Sequence, residues 1–224
     1  MKNRLNKIVV SALCGGLLFS SAVLADGGAN YEVTITNLTR AQTFTPILVA
    51  SHREGVKIFE LGSAASNELS TLAEGGDVGP LTAALEANDD VVDTANSGGL
   101  LMPGASVTVT VSARHGAKEI SLASMLIPTN DSFIALNGVK APKGNKTTVY
   151  YSPGYDAGSE PNDEDCMHIP GPVCGGAGGS PEAGGEGYVH ISSGIHGIAD
   201  LAAETYDWRN PTAKIAIQRV SADD

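Results

Sequence analysis

The chain has 224 residues, with 14 basic and 25 acidic side chains and a formal charge of −11 at neutral pH. That excess of acid works against general attraction to nucleic acid, anionic lipid or heparin-like polyanions. The length is enough for one well-buried core.

The first residues, MKNRLNKIVVSALCGGLLFSSAVLA, have the pattern of an export signal. Lys2, Arg4 and Lys7 form a basic n-region, Ile8 to Phe19 an apolar stretch, and Val23-Leu24-Ala25 offers small residues for cleavage after Ala25. The apolar stretch is shorter than the roughly 20 residues a spanning helix needs. Leu13 occupies the position where lipid attachment at Cys14 would want a small residue. Loss of residues 1–25 removes three basic side chains, leaving 11 against 25 acids and a charge of −14. The expected mature protein is one domain over 26–224, destined for the periplasm, the cell surface or the medium.

Taken in chain order, YEVTITNL alternates with Tyr31, Val33 and Ile35 on one side, which predicts a half-buried strand. TFTPILVASH is a second β-rich run, with Pro46 pointing to an edge or a bulge. SNELSTLAEGG predicts a short helix, with Ser66 as N-cap, Leu69, Leu72 and Ala73 at helical spacing and Gly75 as the stop. GPLTAALEAN predicts another, opened by Pro80. ASVTVTVSA, EISLASMLIP, TTVYY and AKIAIQRV are strands by their β-branched and apolar content. Trp208, in the turn YDWRNP, is expected to plug the core, with Arg209 paired to a nearby acid. Many strands and two short helices indicate an all-β, antiparallel sandwich with long loops. Residues 171–187, GPVCGGAGGSPEAGGEG, read as a glycine-rich surface excursion. Cys166 and Cys174 enclose MHIPGPV, a loop that suits a disulfide in an exported chain. A metal pair with His168 is the weaker reading of that spacing.

No catalytic signature stands out. A nucleophile elbow, a zincin helix and a phosphate-binding loop are all missing from the sequence. Paired carboxylates could serve a glycosidase, but acids are so common here that any two carry little information. The stretch YDAGSEPNDEDC holds five acids, Asp156, Glu160, Asp163, Glu164 and Asp165. It does not match an EF-hand, because Pro161 stands where the central glycine belongs. It is either a solvated acidic loop or one side of an oxygen-lined cation site. In the second case Asp131, in PTNDSF, and Asp156 would follow separate strands and meet at one rim. His190 and His196, in GYVHISSGIHGIADL, are expected in a tight loop with their rings bonded to backbone, a transition-metal pair being the minor alternative.

Several pieces, in order, resemble the spondin domain, the N-terminal module of F-spondin and mindin that also occurs in bacterial secreted proteins. They are YEVTITNLT, TFTPILVASH, FELGSAASNELSTLAEGG, SMLIPTNDSF, YDAGSE and PTAKIAIQRV, spanning about Tyr31 to Val220. The resemblance implies a sandwich of C2-like shape with a Ca²⁺ ion at one end. Carried over by position, the ligands would be Asp131, Asp156, Glu160 in place of an aspartate, and the backbone carbonyl of Pro153. Phe133 would take the role of an aromatic that the family places directly after the first aspartate. The thrombospondin and reelin-like modules of animal spondins are missing, so matrix and glycosaminoglycan binding do not carry over. The chain is thus expected to be a non-catalytic, monomeric adhesion or binding module for an extracellular protein or glycan. "PNDEDC" is expected to be a solvated lead-in to the Cys166–Cys174 loop.

Overall fold

The computed structural model describes residues 29–179 and 184–221. The predicted export signal and its cleavage after Ala25 lie outside these residues. The elements are β1 (Ala29–Asn37), β2 (Thr43–Phe44), β3 (Leu48–His52), α1 (Asn67–Gly75), α2 (Gly79–Glu86), β4 (Val91–Asn96), β5 (Ser106–Ser112), β6 (Glu119–Ile127), β7 (Ser132–Lys140), β8 (Thr147–Ser152), β9 (Gly154–Asp156), β10 (His190–Ile191), α3 (Ala203–Tyr206) and β11 (Ala213–Ser221). None of the described helices is long and apolar enough to cross a membrane.

Two antiparallel sheets face each other, as expected of a sandwich. The smaller has the order β5-β1-β11-β8, and the larger β10-β9-β7-β6-β3-β4, with β2 alongside β6. The alternation of β1 places Tyr31, Val33 and Ile35 between the sheets. Ile215 and Ile217 of β11 lie opposite Ile35 and Val33, and Val107 and Val109 of β5 face the same residues from the other side. Ile120, Leu122, Ile134 and Leu136 supply the apposed face from the larger sheet.

A second apolar layer covers the outer face of the larger sheet. Leu69, Leu72, Leu81 and Leu85 of the two helices pack on Leu48, Ala50, Ala123, Phe133 and Ala135. This explains why β6 and β3 read as near-continuous apolar runs: every one of their residues is buried, because both faces are covered. Pro46 does not mark an edge. It lies in the break between β2 and β3, and β3 is internal, hydrogen-bonded to β4 and β6.

The helix signals are realised. Ser66 accepts the Leu69 amide at 3.2 Å, and Pro80 stands in the first turn of α2. Helix α1 stops one residue later than its pattern predicts, at Gly76, whose φ of +71° is left-handed and whose amide closes on the Leu72 carbonyl. Trp208 is buried, and Arg209 pairs with Asp207. Strands β4, β7, β9 and β10 and the one-turn helix α3 were not legible in the sequence pattern. Phe133 on β7 packs edge-on against Phe59, with ring centroids 5.4 Å apart, and close to Tyr155 at 5.5 Å.

Phe133→Ala is expected to lower unfolding free energy by about 3–5 kcal/mol, since a fully buried ring that anchors the helical layer to β7 is lost. The midpoint of denaturant unfolding measures it.

Candidate functional site

The larger sheet delivers two carboxylates to one place. Strand β6 leaves into the turn Pro128–Asp131, which Thr129 braces: its hydroxyl donates to the Leu126 carbonyl at 2.5 Å and accepts the Ser132 amide at 3.2 Å. Asp131 ends that turn, directly before β7. Strand β9 pairs with β7 so that Asp156 lies opposite Ser132. The chain then folds back over the aspartates. The Ala157 amide donates to the Asp131 carbonyl at 3.2 Å, and the Gly158 amide to Asp156 Oδ1 at 2.8 Å. Asp131 Oδ2 accepts the amides of Ser159 (2.8 Å) and Glu160 (3.0 Å) and the Ser159 hydroxyl (3.3 Å). Gly158 is required here, because its φ is +65° and a Cβ would meet the Tyr188 carbonyl oxygen at 2.3 Å.

Burial sets the electrostatics. Asp131 and Asp156 are 0% exposed and Glu160 is 1% exposed. Among the described residues no lysine or arginine lies within 4 Å of either aspartate. Asp131 Oδ1 is buried and has no hydrogen-bond partner. Burial first, and the Asp156 charge second, push the Asp131 carboxyl from an ordinary 3.8 up to about 7, against the pull of the Glu160 and Ser159 bonds. Burial also raises Asp156, opposed by the hydrogen bonds from Asn162 and Gly158 and by His190. A buried set of oxygen donors, one of them orphaned, suits a hard cation.

Pro153 directly precedes β9. Its carbonyl accepts the Ser152 hydroxyl at 2.7 Å.

His190 is a strand residue, not the loop residue its glycine-flanked setting predicts. It pairs with Asp156 across β9 and β10, and its Nε2 lies 3.4 Å from Asp156 Oδ1 and 3.7 Å from Glu186 Oε2. Its Nδ1 lies 3.0 Å from the Ile191 carbonyl, as expected of a ring bonded to backbone. Partial burial works against the charged ring. The Ile191 carbonyl and the two carboxylates outweigh it and hold the His190 pKa above its usual value. Neither His190 nor Glu186 was singled out as a partner of Asp156 from the sequence. A two-residue strand has no period to read, and Glu186 sits in a glycine-rich stretch.

The expected solvated lead-in, residues 161–166, is instead built into the protein. Glu164 is 2% exposed with φ +57°, and its carboxylate accepts the amides of His196 (2.5 Å), Gly197 (2.8 Å) and Ile198 (2.9 Å). Asp163 accepts from Asn130 Nδ2 at 2.9 Å, from the Asp165 amide at 3.0 Å and from His168 Nδ1 at 2.6 Å. The Asn130 side chain also receives the Glu164 amide at 3.2 Å, so this segment is tied to the turn that carries Asp131. Backbone donors, which no residue count reveals, explain the burial of these acids. Cys166 and Cys174 form the expected disulfide.

The family model described as Spondin_N matches residues 34–153, more than half of the chain. The matched segment contains Asp131 and Pro153 and ends three residues before Asp156. No curated protein matches the chain.

Two outcomes follow from this geometry. With divalent ions chelated, the raised Asp131 pKa means that the folded state holds a proton the unfolded chain releases. The stability linked to it is whole below 3.8 and is lost as pH rises through about 7. Asp131→Asn keeps an acceptor for Ser159 and Glu160 but cannot ionise. In chelator near about pH 8 it should be the more stable protein, and the difference should vanish at about pH 4; thermal melts across that range read it. Glu164→Gln replaces one acceptor oxygen with a donor facing backbone amides. It should cost about 2–3 kcal/mol in denaturant unfolding.

Proposed function

Because the chain belongs to the spondin N-terminal domain family, we propose that it is an extracellular binding module whose carboxylate end holds a Ca²⁺ ion and which has no catalytic activity of its own. Family membership supports the extracellular binding role, and the Cys166–Cys174 disulfide agrees with an oxidising compartment. The partner is an extracellular protein or glycan that does not depend on a basic docking face, given the chain's acidic balance.

The calcium reading is carried by one observation. Asp131 Oδ1 is buried without a hydrogen-bond partner, beside a second fully buried aspartate. Asp131 and Asp156 would hold the ion, joined by Glu160, whose backbone already binds Asp131. Ca²⁺ takes six to eight oxygens, and water or carbonyls complete such a set. A bound ion would neutralise the pair and fasten the 128–131 turn to the 157–160 turn. A glycosidase-like use of the same carboxylates is disfavoured by their burial, which leaves no face of Asp131 for a sugar. A purely structural role without metal requires the two aspartates to be far apart, and the pairing of β7 with β9 works against it.

Excess Ca²⁺ should raise the Tm, by an amount equivalent to about 2.7 kcal/mol when free calcium is about a hundred times Kd. The Asp131→Ala, Asp156→Ala double variant should lose that rise. Identical wild-type melts in calcium and in chelator would contradict the proposal.

A further inference from the structure

We infer that Asp156, Glu186 and His190 form a second metal locus, selective for an imidazole-accepting divalent ion of the Zn²⁺ class. It shares Asp156 with the calcium reading but stands without it, because Glu186 and His190 take no part there.

The distances carry the inference. One ligand atom from each of the three side chains lies within 4.8 Å of the others. His190 Nε2 is 3.4 Å from Asp156 Oδ1 and 3.7 Å from Glu186 Oε2. An N–H···O bond wants about 2.7–3.2 Å, so both separations are long for hydrogen bonds. Zinc bound at about 2.0–2.2 Å to nitrogen and oxygen places neighbouring corners of a tetrahedron about 3.3–3.5 Å apart. A small inward movement of Glu186, which is 38% exposed on its side chain, closes the longer edge.

The ring is also prepared as a ligand. His190 Nδ1 lies 3.0 Å from the Ile191 carbonyl, so in the neutral ring the proton sits on Nδ1 and the Nε2 lone pair faces the two carboxylates. Metal-bound histidines are held by such a bond from the other nitrogen. The Nε2 atom itself is buried and has no hydrogen-bond partner. A lone pair aimed at two carboxylates is repulsive until a proton or a metal cation stands between them. The nitrogen donor decides the class of ion, since Ca²⁺ prefers oxygen alone while imidazole suits zinc and its neighbours. Three protein ligands leave one coordination position for water or for a side chain of a partner.

The test is titration of the metal-stripped full chain with Co²⁺, in the presence of excess Ca²⁺, followed by the visible d–d bands of a four-coordinate ion. The inference expects saturation at one Co²⁺ per chain, displacement by Zn²⁺, and at least about tenfold weaker binding in both His190→Ala and Glu186→Gln. Both variants should keep the wild-type Tm response to Ca²⁺, so failure of one locus is distinguishable from failure of the other. Glu186→Gln alters an exposed side chain and serves if His190→Ala does not fold. Absence of saturable Co²⁺ binding means that His190 acts only as an imidazolium beside the carboxylates, and overturns the inference. Binding that both variants leave unchanged overturns it as well.

Discussion

Two aspartates stand side by side in a place that water does not reach, and the surrounding structure is organised around that juxtaposition. Asp131 and Asp156 are drawn together because β7 and β9 are hydrogen-bonded neighbours, and the register that pairs Ser132 with Asp156 cannot move without shifting Phe133 out of the helical layer. A buried like-charge pair must be neutralised by a proton, a cation or a ring of donors. The protein supplies donors for one oxygen of Asp131 and for both oxygens of Asp156, and leaves the last oxygen of Asp131 unmet. The segment from Ala157 to Glu160 is positioned mainly by those bonds.

The neighbouring loops depend on the same corner. Asn130, one residue before the buried aspartate, joins the 161–165 segment through Asp163 and Glu164. Glu164 in turn gathers the amides of 196–198, and the Asp200 carboxylate accepts the Cys166 amide at 3.0 Å. Loops with little apolar content of their own are thereby held at the sheet end by carboxylate–amide bonds and one disulfide. The acids Asp163, Glu164 and Asp200 are structural in this sense.

The strands of the smaller sheet were legible because each has one face between the sheets and one in water, which writes a period of two into β1 and β5. Strand β6 was legible by composition, and the covering helices by Ser66 and Pro80. Strand β7 was missed because its first half is buried on both faces and Gly138 interrupts the rest; β4 was missed because five of its six residues are half-buried, with no alternation. At the site, Asp131 and Asp156 were singled out because each falls on a motif that resembles the spondin domain, and the pairing of β7 with β9 brings them together. Glu164 was misread because a run of acids looks solvated unless the backbone donors that fold onto it are known. Glu186 lies within the glycine-rich excursion and His190 just after it, and pairing of β10 with β9 brings them to Asp156.

We propose that a divalent cation takes over the neutralisation that a proton otherwise provides at Asp131. Calorimetric titration with Ca²⁺ in buffers of different ionisation enthalpy counts the protons released on binding. About one pH unit below the raised Asp131 pKa of about 7, binding should expel close to one proton per calcium, falling to none at alkaline pH. Calcium that binds without releasing protons in that range, or that does not bind, would contradict it.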